Sequence, residues 1–204
     1  MTITLYYYAA KGVADKIRLF LHELCVNYEE VLVDGQDSDS IRSALPFNKL
    51  PALKDDESQA FVVGDMAILQ YIARKFNTYG ETYTEKATID MWAEHANQIQ
   101  HQLWNASFME PSLSDFKVVE QRAKWLKEHS DSLLQLAVQI SELPSVNICG
   151  GRVSHADMAL FSYLDSLARE VPLALLTYPP LEKYHTYFNS KPSIKKLTLS
   201  GRRY

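Results

Sequence analysis

The chain has 204 residues, 47% of them hydrophobic and 23% charged, with a formal net charge of −4. That length buries a substantial core, as one large domain or two small ones packed together, and the composition argues against disorder. So slight a charge excludes the basic face or polybasic run needed to bind nucleic acid or anionic lipid.

Ile3 to Tyr8 is β-branched and aromatic and predicts a strand. Ala9 to Gly12 turns the chain. From Val13 the apolar positions Val13, Ile17, Phe20, Leu21 and Leu24 recur at helical spacing, with Asp15, Lys16 and Arg18 on other faces. Tyr28 to Val33 predicts a second strand, parallel to the first if the crossover is right-handed. Asp34 to Ser43, with Gly35 and a serine and aspartate cluster, reads as a loop with one turn of helix near Ile41. A second loop ends at Leu50-Pro51, just before a sheet, which is a common way to expose backbone amides and carbonyls to a small ligand. Ala52 to Lys54 and Ala60 to Val63, separated by Asp55 to Gln59, predict a hairpin. Asp65 is the expected N-cap of a helix whose buried stripe is Ile68, Leu69, Ile72 and Phe76. The order β-α-β, then β-β-α, is the thioredoxin type.

After Tyr79-Gly80-Glu81 the strand signals vanish. Ile89, Trp92, Ala96, Ile99 and Leu103 recur at helical steps, and Val119, Ala123, Leu126, Leu133, Ala137 and Ile140 do so after a break at Pro111, predicting long bundle helices. Another helix opens at Ser154-His155-Ala156-Asp157, an aspartate version of the capping box, with Val153 and Met158 at the staple positions. Tyr178-Pro179-Pro180 and Lys191-Pro192 bracket a helix from about Leu181 to Asn189, and a tail ends in Gly201-Arg202-Arg203-Tyr204. The expected architecture is an α/β thioredoxin-like domain over 1–78 followed by an all-helical bundle over 84–204. Cys25 and Cys149 are too few for a disulfide framework and lie in no metal-type cluster, so a reducing compartment and no metal are expected. The N-terminus lacks a basic leader, and no apolar run approaches the ~18 residues of a membrane span, which makes the cytosol the expected location and predicts no membrane partner.

With this order of elements, the residues resemble the cytosolic glutathione transferases, in particular the sigma, pi and mu type whose catalytic group is an N-terminal tyrosine. The resemblance covers nearly the whole chain. It rests on Leu5-Tyr6-Tyr7-Tyr8 with Gly12 and Arg18, on Leu45-Pro46-Phe47-Asn48-Lys49-Leu50-Pro51, on Ala67-Ile68 before Tyr71-Ile72, and on Gly150 ahead of Ser154-His155-Ala156-Asp157. It implies glutathione as co-substrate, ionised at its thiol. A free thiol titrates near ~8.5, each unit of depression corresponds to about 1.4 kcal/mol, and one hydrogen bond to a charged acceptor contributes roughly 1.5 to 3 kcal/mol. One tyrosine hydroxyl is therefore enough, and by register Tyr7 is the implied donor with Tyr8 beside it.

The same resemblance implies further site residues. Pro51 matches the family's cis-proline, so Leu50 presents its N–H and C=O to the cysteinyl backbone of glutathione, while Lys49 and Arg42 meet the glycine carboxylate. Tyr8, Ala10, Trp104 and Phe108 resemble the lining of a hydrophobic cleft between the domains that takes the electrophile. Phe47 matches an aromatic that inserts into a partner subunit, implying a homodimer. The departures fall in one place. Gly64-Asp65 stands where Gln-Ser or Glu-Ser usually holds the γ-glutamyl carboxylate, Val13 replaces an arginine, Ser38 a tryptophan, and Gln98 an aspartate donated by the partner subunit. Asp65 adds a carboxylate at the γ-glutamyl end where Gln98 removes one, which leaves three readings open: the acid that pairs the ammonium has moved into the chain itself, Asp65 repels the glutamyl carboxylate, or Asp65 is a plain helix N-cap. The alternatives are a glutathione-dependent isomerase or synthase, and a non-catalytic structural or scaffold protein with a decayed pocket.

Overall fold

The computed structural model describes residues 2–34, 38–108, 115–171 and 173–200, the side chains of Ser107, Phe108, Asp115 and Phe116 excepted. The break read at Pro111, Gly35 and the tail from Gly201 lie outside them. Two compact units emerge, one of Met1–Glu81 with Lys191–Tyr204 and one of Thr82–Ser190.

In the first unit the order is β1 (Ile3–Tyr7), α1 (Asp15–Glu23), β2 (Glu29–Leu32), α2 (Ser38–Ser43), a 3-10 turn (Pro46–Asn48), β3 (Ala52–Asp55), β4 (Ala60–Val63) and α3 (Asp65–Lys75). Four strands form one mixed sheet in the order β2-β1-β3-β4, with β1 and β2 parallel and the other pairs antiparallel. The thioredoxin-like arrangement is the one read from the β-α-β and β-β-α order. Along β1 the period of two turns Ile3, Leu5 and Tyr7 to the core.

Helix α1 departs from the amphipathic reading. Every residue from Asp15 to Leu21 is buried, including Asp15, Lys16 and Arg18, which the apolar spacing had placed on other faces. Its surroundings explain why: α3 packs against it, as does α10 (Pro192–Leu199), a helix the sequence reading leaves as tail. Pro192 sits in the first turn, where its missing N–H costs nothing, and Ile194 and Leu197 are buried. Lys191 Nζ and Ser193 Oγ (2.5 Å) both bond the Glu23 carboxylate, tying α10 to the end of α1. Phe76, expected in the buried stripe of α3, is the half-buried residue that ends that helix.

The second unit is helical throughout its described residues: α4 (Tyr83–Phe108), α5 (Asp115–Glu128), α6 (Ser130–Ser141), α7 (His155–Glu170), α8 (Ala174–Thr177) and α9 (Pro179–Ser190). On α4 the expected stripe of Ile89, Trp92, Ala96, Ile99 and Leu103 is buried except at Ile99, which is half-buried. On α5 the stripe is rotated: Val119 is 61% exposed and Ala123 is exposed, while Trp125 is buried, because the larger indole captures the core. Pro179 and Pro180 start α9 instead of preceding it. The capping box forms as expected, Ser154 N–H donating to Asp157 Oδ2 at 2.7 Å and Asp157 N–H to Ser154 Oγ at 3.4 Å. Asp157 also accepts from Ile148 N–H and Tyr184 Oη, both at 2.9 Å, so one buried carboxylate anchors α7, α9 and the loop between α6 and α7.

A second carboxylate organises the first unit. Asp55, at the end of β3 and almost fully buried, accepts from Lys75 Nζ, from Tyr71 Oη and, at 3.0 Å, from Glu57 N–H. Burial alone pushes its pKa up, but these three donors outweigh it and hold the group well below the ordinary 3.8. A carboxylate whose folded pKa is depressed contributes stability above its unfolded pKa, and that stability is lost as pH falls through the folded value. Asp55→Asn is therefore expected to cost about 3 kcal/mol at neutral pH. The gap to wild type should close as pH drops below 3.8. Urea denaturation at both pH values checks this, and a gap that persists in acid sinks the assignment.

Candidate functional site

The pairing of strands brings the sequence-predicted residues to one end of the sheet. Tyr6 pairs with Ala52 and Ala52 with Val63, and one step further Tyr7, Pro51 and Gly64 follow in line. Gly64 N–H donates to Pro51 C=O at 2.9 Å, closing this end. The Leu50-Pro51 peptide is cis, and among the described residues neither the N–H nor the C=O of Leu50 has a hydrogen-bond partner.

Tyr7 is the buried member of the tyrosine run. Tyr6 faces the other side of the sheet against Phe61 (centroids 6.0 Å), and Tyr8, half-buried, leaves the strand with its ring 5.3 Å from that of Tyr7. The Tyr7 hydroxyl accepts the Val13 N–H at 3.3 Å. Burial pushes the phenol pKa above its usual 10, with the Asp65 and Tyr8 charges adding to the rise and the Val13 N–H and Arg18 opposing it. The hydroxyl consequently keeps its proton at neutral pH and is a donor. Gly12 makes this geometry possible: at φ +42° it favours no side chain, and an added Cβ would lie 2.4 Å from Tyr7 Oη.

The turn that carries Val13 is held by Arg18, whose guanidinium is fully buried. Its Nε and Nη2 donate to Glu30 Oε1 at 2.7 and 2.5 Å, Nη1 donates to Ala10 C=O at 2.7 Å, and Nη2 to Tyr8 C=O at 3.3 Å. Arg18 also lies 5.7 Å from the centre of the Tyr7 ring.

Asp65 is not the cap of α3. Gly64 is, in a φ of +91° that suits glycine, with no side-chain hydrogen bond to the helix end, and Asp65 is the first helical residue. Its carboxylate instead pairs with Lys16 Nζ at 2.5 Å. The sequence reading sets Lys16 on a face other than the apolar stripe, yet it lies three residues after Val13 and four before Phe20 and so borders both. That adjacency was the signal for a buried lysine.

Other predicted residues are placed less centrally. Arg42 on α2 and Lys49 after the 3-10 turn are exposed, and among the described residues neither has an ion-pair partner. Phe47, at φ +55°, is 83% exposed. Ala10 is exposed beside Tyr8 in the first unit; Trp104, half-buried on α4, and Phe108, whose side chain is not described, belong to the second. Gln98 bonds Glu94 at 2.9 Å on the exposed face of α4. A cavity of about 510 Å³ between α6 and α9 is lined by Ile140, Val146, Pro180 and Lys183, with Ser141 and Ser145 donating to main-chain carbonyls, and it holds no activated nucleophile. Among the described residues no cluster of His, Cys, Asp or Glu is placed to hold a metal, and no helix is long and apolar enough to cross a membrane.

The glutathione S-transferase N-terminal domain profile matches residues 5–81 and the glutathione S-transferase C-terminal domain profile residues 101–198. Glutathione S-transferase 2 of Onchocerca volvulus is 29% identical over 196 residues, covering 96% of this chain and 91% of the relative. Glutathione S-transferase A2 of Bos taurus is 26% identical over 200 residues, covering 97% and 87%. The solved pi-class glutathione S-transferase of Onchocerca volvulus aligns with a TM-score of 0.87 at 27% identity, over 98% of this chain and 93% of that one. The chain belongs to the glutathione S-transferase family.

Proposed function

We propose that the protein is a glutathione transferase, in which Tyr7 donates a hydrogen bond to the glutathione thiolate and the thiolate attacks a hydrophobic electrophile. The observation that carries this reading is the Tyr7 hydroxyl: buried, protonated at neutral pH, and polarised by the N–H it accepts from Val13. A donor aimed at a sulfur stabilises the thiolate over the thiol and lowers the pKa of the bound ligand.

Leu50 supplies main-chain groups for the cysteinyl backbone, Gly64 and Asp65 meet the γ-glutamyl end, and Arg42 and Lys49 are free to turn toward the glycine carboxylate. Tyr8 and Ala10 stand on the electrophile's side. The working form is a homodimer with Phe47 at the subunit contact, which gives an exposed aromatic a partner. The electrophile acts in the cytosol, where two unpaired cysteines stay reduced.

Millimolar glutathione is expected to raise the melting temperature, as linkage requires of a ligand bound by the folded state. No shift would favour the scaffold alternative. Tyr7→Phe should lower kcat/KM by about a hundredfold and return the bound thiol's pKa toward ~8.5, followed by ultraviolet absorbance of the thiolate. Full activity in that variant moves the catalytic role elsewhere. Gly12→Ala, which displaces the hydroxyl without removing it, is expected to lower kcat/KM at least about tenfold. Wild-type turnover in this variant would show that the close approach to Tyr7 is not needed.

A further inference from the structure

Helix α5 is held to the rest of the helical unit through few side chains. Of its described side chains Trp125 alone is buried, and the indole Nε1 has no hydrogen-bond partner among the described residues. An indole N–H can only donate, so its burial calls for an acceptor. The ring stacks on that of His129, with 4.2 Å between centroids and 14° between planes, at the point where α5 passes into α6. His129 Nδ1 lies 2.8 Å from the Trp125 carbonyl. A carbonyl only accepts, so in the neutral ring Nδ1 carries the proton and Nε2 presents a lone pair. On α7 the Tyr163 side chain is 1% exposed, and its hydroxyl makes no hydrogen bond among the described residues. Burial by itself pushes that phenol's pKa up.

Trp125, His129 and Tyr163 wall one small cavity, together with Leu133 and Leu136 of α6 and Ile99 of α4. Its volume is about 10 Å³, roughly the least that admits one water molecule and too little for a larger ligand. The polar atoms on its walls are complementary: one donates, one accepts and the phenol does either. No carboxylate, lysine or arginine lines the cavity among the described residues, so an ion would find no counter-charge there. The chemistry suits a neutral molecule that both donates and accepts.

We infer that this cavity is a binding site for a single ordered water, which accepts from Trp125 Nε1–H, donates to His129 Nε2 and bonds the Tyr163 hydroxyl, pinning the junction of α5 and α6 to α7. The other polar tie from α5 to α7 among the described residues is the pair between Arg122 Nη2 and Glu170 Oε2 at 2.7 Å. The docking of α5 therefore depends on the hydrated site.

The sign of a stability change separates a hydrated cavity from a dry one. In a dry cavity each unpaired polar group destabilises the fold, so removing it strengthens folding; around a bound water each removal breaks a hydrogen bond and weakens it. Two variants of the full chain test this by urea denaturation: Tyr163→Phe, and replacement of Trp125 by benzothienylalanine, which keeps the ring's shape and lacks the N–H. Each is expected to lower the folding equilibrium constant about five- to tenfold. The double variant should lose less than the product of the two, because both act through one water. A high-resolution crystal structure of wild type should show a solvent peak at about 2.7–3.2 Å from Trp125 Nε1 and Tyr163 Oη. The α5 amides should exchange with solvent severalfold faster in Tyr163→Phe than in wild type. Unchanged or raised stability in both single variants, strict additivity in the double variant, or a cavity without a solvent peak overturns the water site. Unchanged exchange along α5 overturns its role in holding that helix.

Discussion

The first unit depends on one buried guanidinium. Arg18 is fully removed from water, and it collects a carboxylate from β2 and main-chain carbonyls from the turn between β1 and α1. A planar fork of five donors is the side chain able to serve so many acceptors at once, and lysine is not a substitute for it. Burying this ion pair stabilises the fold little, because desolvation cancels much of the attraction. Its effect is on shape. Both Glu30 contacts use Oε1, and Oε2 is buried with no hydrogen bond among the described residues, a cost the fold carries to keep the turn fixed.

From that fixed turn the site geometry follows. Holding the carbonyls of Tyr8, Ala10 and Lys11 sets the path of the chain through Gly12 to Val13, and the path delivers the Val13 N–H to the Tyr7 hydroxyl. Tyr7 itself is held by the sheet, whose parallel and antiparallel neighbours fix β1 from both sides. The Tyr7 phenol and the Val13 amide therefore belong to separate elements, brought into register by an arginine that hydrogen-bonds neither of them. The charges within α1 divide the work: Arg18 serves the turn, and Lys16 serves the start of α3.

Much of this was legible because it depends on periodicity and on local motifs. The strands of the sheet, the Ser154 and Asp157 capping box, and most of the stripe of α4 follow from spacing within a few residues, whereas the choice of Tyr7 from the tyrosine run came from the family resemblance. What escaped the sequence depends on contacts between distant segments. Nothing local to Asp15, Lys16 and Arg18 says that α1 is covered on every side, since the helix that helps to cover it lies more than 160 residues later. The stripe on α5 failed for a related reason. Trp125 lies on another face of that helix, six residues from Val119, and its burial outweighs that of Val119 and Ala123.

The departures from the family pattern change meaning once they are placed in space. Counted along the chain, Val13 and Gly64-Asp65 are separate losses of polar side chains. In the fold, position 13 contributes its N–H to Tyr7, a main-chain group that valine supplies as well as arginine does. Gly64 and Asp65 are likewise not a bare deletion of an amide and a hydroxyl, because the new carboxylate meets the Lys16 ammonium from another helix and the two charges cancel. The burial of Lys16 depends on that partner, since an unpaired lysine costs far more than the leucine or alanine that would fill the same volume. A lysine and an aspartate 49 positions apart meet at 2.5 Å, one on each of two helices that no local pattern in the sequence links.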